Sequence, residues 1–241
     1  AGLWWADGPS CMFATGLLDA RTDERFDAML AYLEQTWGTM IGLTNRMDRP
    51  KELGKRNPFW YVINSERGYF ENLLARGEIE KALLILYSNL SYGLSQDCLQ
   101  TVERIHVSDA NYAPFQPNSS GNGRLLDMMR RMVVDDQEPG MLWLLRGCPR
   151  RWFEPGESII VEDAPTYYGK MAVRTHASDD AVVIDVDPPA GKIPVDLRVM
   201  VRHPSRSAPK SVTVNGAPGR IEQEAVVLPQ ARGHQQIRCQ Y

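Results

Sequence analysis

Residues Gln100 to Val134 have the sequence QTVERIHVSDANYAPFQPNSSGNGRLLDMMRRMVV, which joins a polar loop to an amphipathic helix. The loop is rich in charged, polar and aromatic side chains and is interrupted by Pro114 and Pro117. The helix is predicted because apolar residues recur at helical spacing from Leu125 onward. A polar loop attached to a buried helix commonly holds catalytic or binding side chains. A solvated connector before a helix that is capped by Asn118, Ser119 or Ser120 would have the same pattern, so the residue types leave both interpretations open.

The residues before this loop predict a series of helices. Apolar side chains recur at helical spacing over residues 9–19, 22–37, 57–75 and 78–90. The last of these stretches is apolar on nearly all sides, so we expect its helix to be buried on most sides. Short connections within the first pair of stretches and within the second pair predict two antiparallel helical hairpins, and residues 39–56 between the pairs are predicted as a loop. The helix after the loop is the fifth, and the helical domain is predicted to span residues 1–154.

After the helices the apolar period changes from helical to alternating, which is typical of half-buried strands. Apolar side chains alternate from Val182 to Val186, and Asn215-Gly216 between apolar runs predicts a tight hairpin turn. Seven short strands at this spacing favour an antiparallel β-sandwich over residues 155–241. The strands are predicted at 158–162, 168–176, 181–187, 196–203, 210–215, 221–228 and 234–241.

The composition describes an ordinary globular protein of 241 residues, 43% hydrophobic and 24% charged, with a formal net charge of -3. No basic stripe is visible, so we expect no nucleic-acid partner. The longest apolar run, Ala82 to Tyr87, is too short to cross a bilayer, so no membrane span is expected. The four cysteines form no CxxC pair, which leaves no zinc template, and we expect mostly buried thiols and no cofactor. The sequence shows no signal peptide and leaves the cellular location open.

Two runs, PNSSGNGRLLDMMRRMVV and LWLLRGCPRRWFEPGESIIVEDAPTYYGKMAVR, resemble the C-terminal region of bacterial six-hairpin glycosidases. The runs LRVMVRHP and SVTVNG resemble later strands of that family's sandwich, and GLWWADGPSCMFATGLL resembles an inner-helix start of its barrel. These enzymes have an (α/α)6 barrel followed by a β-sandwich. The resemblance therefore implies an α+β multidomain fold, with an incomplete (α/α)6-type helical-hairpin barrel before the sandwich.

Five helices cannot close a barrel that is built from twelve. The resemblance thus implies that the chain is the C-terminal portion of a larger glycosidase, and that the isolated chain is incomplete as an enzyme. We expect the missing N-terminal barrel portion, or another protein chain, to cover the inner face of the helices. A second copy of this chain is one candidate for that partner. The exposed apolar residues should then include some of Phe13, Leu84 and Leu86.

The resemblance implies a carbohydrate substrate and cleavage of a glycosidic bond by two carboxyl groups. Glu103, at the entry of the loop, is the first candidate for the general acid, and Asp109 is the second catalytic candidate. Asp7 is a candidate for an opposing carboxylate at the substrate. Each has a structural alternative: Glu103 as a surface partner of Arg104 or Arg130, and Asp7 as a helix cap.

Four further residues are candidates for substrate binding. Trp4, Trp5 and Tyr112 could stack on the C–H faces of sugar rings, and His106 could hydrogen-bond to sugar hydroxyls. Trp60 is the weaker aromatic candidate because it lies next to Phe59 in a stretch predicted to face the core. A non-catalytic module that binds carbohydrate or supports a partner chain fits the same sequence. A sugar isomerase or epimerase is a third interpretation, but such chemistry typically uses several histidines.

Overall fold

The computed structural model describes residues 19, 21–32, 39–40, 43–44, 60–61, 66–95, 97–102, 105–106, 118–194 and 196–241. The chain divides into two compact units, Ala1–Met129 and Arg130–Tyr241. The described helices lie mainly in the first unit, and two sheets lie in the second, so the fold class is α+β. The domain boundary after residue 154 stays a prediction; the two compact units divide earlier in the chain.

Four α-helices are described: α1 Glu24–Tyr32, α2 Glu66–Arg76, α3 Ile79–Tyr92 and α4 Ser119–Val133. Helices α2 and α3 pack against each other across Gly77, whose φ of 77° is a conformation that glycine adopts without strain. Arg76 connects α2 to α1, because its Nη2 donates to Asp27 Oδ1 at 2.7 Å and its guanidinium lies 4.8 Å from the Phe26 ring centre. The first unit is therefore held partly by one arginine at a helix end.

Two predictions about the helices are wrong. The helix predicted from residue 57 begins only at Glu66, because Trp60–Tyr61 forms a short strand, β3. Aromatic residues suit paired strands, and here the pairing overrides the helical spacing. The α3 helix is not buried on most sides: Leu86 is 1% exposed, but Leu84 is 47% exposed. The helix predicted over residues 9–19 lies outside the described residues, except for Asp19.

The described part of the first unit also contains two small antiparallel ladders. Strands β1 Thr39–Met40 and β2 Leu43–Thr44 pair with each other within a stretch predicted as loop. Strand β3 pairs with β4 Ile105–His106, which brings the candidate loop back to the segment before α2. Each ladder is only two residues long, so its stability depends on the surrounding chain rather than on its own pairing.

The second unit contains a five-stranded and a six-stranded sheet. Their order is β13-β14-β10-β6-β5 in the first and β12-β11-β15-β9-β8-β7 in the second. A 3-10 helix, Arg150–Phe153, precedes β7. The strands are β5 Val134–Asp135, β6 Met141–Leu144, β7 Ser158–Thr166, β8 Gly169–Ala177, β9 Ala181–Asp187, β10 Asp196–Met200, β11 Ser211–Val214, β12 Ala217–Pro218, β13 Ile221–Glu222, β14 Ala225–Pro229 and β15 Gln235–Gln240.

Side chains from both sheets form one apolar core, which confirms the predicted sandwich. Leu197 and Val199 of β10 belong to the same buried cluster as Val182, Ile184 and Val186 of β9, and all five are fully buried. The alternation in β9 thus directs every second side chain between the sheets. The Asn215-Gly216 turn is also confirmed, since both residues have positive φ between β11 and β12.

Two differences between the predicted strands and the structure change the topology. The run 221–228 is split into β13 and β14, because Gln223 and Glu224 adopt φ values of 49° and 65° and turn the chain back on itself. The sandwich is also not purely antiparallel. Strand β6, which precedes the predicted sandwich boundary, pairs parallel to β10. This pairing joins residues far apart in the sequence, so local periodicity does not show it.

Asp135, at the end of β5, is buried between two arginines. Its Oδ1 accepts a hydrogen bond from Arg131 Nη1 at 3.2 Å, and its Oδ2 accepts one from Arg146 Nη1 at 3.3 Å. Arg146 Nη1 also donates to Glu138 Oε1 at 2.8 Å. Burial raises the pKa of Asp135, while the Arg146 and Arg131 guanidinium groups act against that rise. The carboxylate and the arginines thus compensate each other's burial.

Replacing Asp135 by Asn should lower the free energy of unfolding by about 3–5 kcal/mol, because Arg131 and Arg146 remain buried without this carboxylate. Urea denaturation of the 241-residue chain measures the change. Asp163→Asn is a matched control: its side chain is 81% exposed and lies 3.6 Å from Lys170, so a change within ~0.5 kcal/mol is expected. Equal denaturation midpoints for the two variants would contradict the stabilising role of the buried cluster.

Candidate functional site

Most of the predicted site residues lie outside the described residues: Glu103, Asp109, Trp4, Trp5, Asp7 and Tyr112. His106 is described by its backbone, as the second residue of β4. The roles proposed for these residues therefore stay predictions. Residues 103–117 form the loop that carries Glu103, His106, Asp109 and Tyr112. The structure describes the base of this loop, up to Val102 on one side and from Asn118 on the other.

The two ends of this loop are joined by a hydrogen-bond network that we call the Thr101 clamp, formed by Thr101, Asn118 and Asn122. The Thr101 N–H donates to Asn122 Oδ1 at 2.8 Å. Its hydroxyl lies 2.8 Å from both the Asn118 carbonyl oxygen and Asn122 Oδ1, and the Asn118 N–H donates to the Thr101 carbonyl oxygen at 3.1 Å. Thr101 is 1% exposed, whereas Asn118 is half-buried and Asn122 is exposed, so the clamp is shielded from water on the Thr101 side only.

Each side of the clamp continues into a helix. Asn118 Oδ1 accepts a hydrogen bond from the Gly121 N–H at 2.7 Å, which caps the start of α4 as the sequence suggested. On the other side, the Val102 N–H donates to the Gly93 carbonyl oxygen at 3.0 Å, directly after the end of α3. Val102 is buried, so the residue before Glu103 has a fixed position. The loop therefore starts and ends on helix termini.

Strand β4 supplies a second attachment inside the loop. Its pairing with β3 places His106 opposite Trp60 and Ile105 opposite Tyr61. Two residues considered for substrate contact, His106 and Trp60, are thus register partners in one ladder. The prediction that Trp60 lies in a helix is wrong, because Trp60–Tyr61 forms β3. That its side chain faces the core stays a prediction.

Helix α2 contains two buried polar residues that sequence reasoning missed. Glu71 is 9% exposed and Asn72 is 1% exposed. Carboxylates are rarely this buried unless they are paired or have a function. The pair lies inside the run YFENLL, with apolar residues on both sides, but the run does not show which face of α2 is covered. Glu71 lies in the same unit as the loop. Its carboxyl group is of the type that glycosidic cleavage requires.

A second polar cluster lies on the exposed face of the six-stranded sheet, around His234. Its Nδ1 lies 2.9 Å from Asp187 Oδ1, and its Nε2 lies 3.2 Å from Asp185 Oδ1. The hydrogen bond to Asp187 raises the pKa of His234 above its ordinary value. Arg174 holds Asp187 Oδ2 at 2.7 Å and also binds Glu162 through two hydrogen bonds of 2.7 Å. All acidic groups of this network have cationic partners, so it is a sheet-surface ion-pair network.

Of the three described cysteines, Cys148 and Cys239 are buried and Cys98 is exposed. Burial raises the pKa of the Cys239 thiol to about 12 and also raises that of Cys148, so both are protonated at neutral pH. Within the same residues, no group of three or more His, Cys, Asp or Glu side chains is placed to hold a metal ion. Every helix in the described ranges falls short of the length and apolar character that crossing a bilayer requires.

No family model matches the sequence, and no curated protein is significantly similar to it. Among solved structures, the chain is similar to an α-L-rhamnosidase from Dictyoglumus thermophilum, with 10% identity, a TM-score of 0.48, and coverage of 98% of this chain and 25% of that one. A GH127 β-arabinofuranosidase has 10% identity and a TM-score of 0.40, with 76% and 32% covered. A Streptomyces avermitilis α-L-rhamnosidase complexed with L-rhamnose has 12% identity and a TM-score of 0.38, with 97% and 26% covered.

The chain therefore spans about a quarter to a third of the length of the solved structures that it matches. At these identities and TM-scores, the likeness assigns the chain to no family. The part of the candidate site that the structure describes is the base of the loop, where Thr101, Asn118 and Asn122 are hydrogen-bonded. Thr101 and Asn122 had no distinguishing sequence signal, because their contact joins positions 21 residues apart.

Replacing Thr101 by Val should lower the free energy of unfolding by about 1 kcal/mol, because the half-buried Asn118 carbonyl and the Asn122 side chain lose the Thr101 hydroxyl while side-chain volume is kept. Amide exchange at Val102 should also become faster. Thr213→Val is the control, since Thr213 makes only ladder contacts in β11 and its stability change should be close to zero. Unchanged exchange at Val102 would show that the Thr101 clamp does not fix the loop.

Proposed function

We propose that the chain is the C-terminal portion of a glycoside hydrolase that cleaves a glycosidic bond by carboxylate acid/base catalysis. The observation that carries the proposal is the Thr101 clamp, which closes the base of the loop containing Glu103 and Asp109. Such a base is what a catalytic loop needs, since reacting groups must be held within a fraction of an ångström. The sequence resemblance over residues 117–174 supports the reaction class.

In this proposal Glu103 is the general acid. The residue before it, Val102, is buried and donates to the Gly93 carbonyl directly after α3, so the described chain that leads to Glu103 is fixed. A general acid must remain protonated near neutral pH until the leaving oxygen takes its proton, which requires a partly desolvated carboxyl group. Tyr112 or Trp5 would form the desolvating wall. Asp109 is the second carboxyl group, which acts as base or nucleophile.

The remaining candidates bind the sugar. Trp4 and Trp5 stack on sugar rings, while Asp7 and His106 accept or donate hydrogen bonds to hydroxyl groups. The pairing of His106 with Trp60 supports this arrangement, because it fixes the backbone of His106 within the loop. A carboxylate pair with nearby aromatic surfaces is the combination that glycosidic cleavage uses.

Replacing Glu103 by Gln in the complete enzyme should reduce turnover by roughly a hundredfold or more, because the side chain keeps its shape but loses the transferable proton. The comparison uses two substrates that differ only in leaving group. The substrate with the poorer leaving group should be affected more, since its departure needs more protonation. Substrate binding should change little.

Asp109→Asn, measured on the same substrate pair, distinguishes the two carboxyl groups. The rate lost on removing a base or nucleophile varies with the leaving group differently from the rate lost on removing the general acid. Glu71→Gln serves as a further arm, since it neutralises the buried carboxyl group of α2. Full turnover of Glu103→Gln on the poor leaving group would contradict the assignment and move the acid to Asp109, to Glu71 or to another chain. Equal melting temperatures for the variants confirm that the effect is chemical.

A non-catalytic, partner-supporting role is the second proposal, and exposed apolar residues on the helices favour it. On α3, Leu84 is exposed as predicted, and Tyr87 lies three positions later on the same face. The prediction was that some of Phe13, Leu84 and Leu86 would be exposed; Leu86 is buried, and Phe13 lies outside the described residues. We propose that the missing barrel portion covers this face in the complete protein and that the isolated chain self-associates through it.

Light scattering after size-exclusion chromatography should show oligomers of the isolated chain. The double substitution Leu84→Ser with Tyr87→Ser should shift the population towards monomer, because it removes the apolar face of α3. Ile160→Ser is the control, since Ile160 is even more exposed but lies on β7 of the sandwich. A monodisperse monomer of the unmodified chain would contradict self-association.

A further inference from the structure

The second unit contains a cavity of about 220 Å³ that the proposed catalytic loop does not use. It lies beside the segment that follows β10, and strands β13 to β15 and the 3-10 helix contribute to its walls. Its volume is below the roughly 300–1,000 Å³ of sites for drug-sized ligands. An occupant of this cavity would therefore be small, with about one ring.

The charged lining of this cavity is mainly cationic. Arg150, Arg202 and Arg206 line it together with one carboxylate, Glu224. An arginine side chain keeps its charge at every physiological pH. Arg150 Nη1 donates to the carbonyl oxygen of His203 at 2.9 Å, which is a neutral acceptor. Within the part of the chain that the structure describes, neither Arg150 nor Arg206 forms an ion pair.

Arg150 also has a buried donor that its protein neighbours leave unsatisfied. Its Nε is shielded from solvent and has no hydrogen-bond partner among the described residues. Because Nε is sealed from solvent, a ligand in the cavity would reach this guanidinium through its terminal nitrogens. The guanidinium of Arg150 is therefore suited to receive an anionic oxygen.

An aromatic wall gives the cavity its apolar part. The His203 and Tyr241 rings stack with centroids 3.8 Å apart and an angle of 11° between their planes. His203 Nδ1 lies 2.7 Å from Ser205 Oγ, which fixes the imidazole ring. Burial, together with Arg150, lowers the pKa of His203, so the imidazole is neutral at pH 7. The positive charge here comes from the arginines alone.

We propose that this cavity binds a small organic carboxylate built on one six-membered ring. The carboxylate lies against Arg150 and Arg206, and the ring lies beside the stacked His203–Tyr241 pair. A monocarboxylate suits the site better than a multiply charged anion, because Glu224 adds a negative charge to the same wall. The proposal rests on the sandwich alone and is independent of the proposed glycosidase function.

The test is calorimetric titration of the 241-residue chain with two acids and their neutral counterparts. Glucuronate against glucose represents a sugar ring, and benzoate against benzamide represents an aromatic ring. At least one acid should bind, and its neutral counterpart should bind about tenfold more weakly or not at all, because charge-assisted hydrogen bonds are lost. The acid that binds identifies which ring the cavity accepts.

Two variants and one control locate the binding. Arg206 is exposed and lies in a loop with positive φ. Arg206→Gln should therefore raise the dissociation constant about tenfold or more without affecting folding. Arg150→Gln should have a similar or larger effect. Arg151→Gln is the matched control, since Arg151 is the next residue of the 3-10 helix but does not line the cavity. The Arg151→Gln variant should bind the acid with an unchanged dissociation constant.

Three results would overturn the proposal. The first is no heat of binding for either acid at the highest soluble concentration. The second is equal binding of an acid and its neutral counterpart, or binding of inorganic phosphate as tightly as the acids, since neither outcome needs a carboxylate on a ring. The third is equal weakening in Arg151→Gln and Arg206→Gln, which would place the ligand elsewhere.

Discussion

The second unit depends on the buried carboxylate of Asp135, which lies between Arg131 in the last turn of α4 and Arg146 after β6. The same region satisfies the end of the helix. The Leu145 and Gly147 N–H groups donate to the carbonyl oxygens of Val133 and Met132 at 2.7 and 2.9 Å. Helix ends leave four carbonyls without partners, and here the following chain supplies donors for two of them. The charge cluster and these bonds together fix where the helix ends and β5 begins.

The cluster extends across the outer face of the five-stranded sheet through Trp143. Its ring lies 4.3 Å from the Arg146 guanidinium and 5.3 Å from that of Arg198. Arg198 occupies an outward position of β10 by alternation, and yet it is buried. Its charge is compensated by Asp196 and Glu222 at 3.3 and 3.4 Å. Cations stacked on an aromatic face lose less on burial than isolated charges do.

The sequence predicted what depends on neighbours within a few residues. The alternation in β9, the Asn215-Gly216 turn and the Asn118 cap all follow from such local rules, and the structure has them. It did not predict the parallel pairing of β6 with β10, or the β3–β4 ladder, because each joins distant segments. For the candidate site, the sequence supplied the loop residues through a resemblance, whereas the Thr101 clamp required knowledge of contacts across the loop. The burial of Glu71 likewise depends on what packs on α2, which no periodicity shows.

The parallel pairing of β6 with β10 also determines where the chain can be divided. Strands β7, β8 and β9 lie in sequence between these two partners but belong to the other sheet. A sandwich expressed from residue 155 onward would lack β5 and β6, so β10 would become an edge strand with unpaired backbone N–H and C=O groups. Exposed edges of this kind pair with other chains and promote aggregation. The smallest fragment that retains all five strands of this sheet therefore begins before β5, in the last turns of α4.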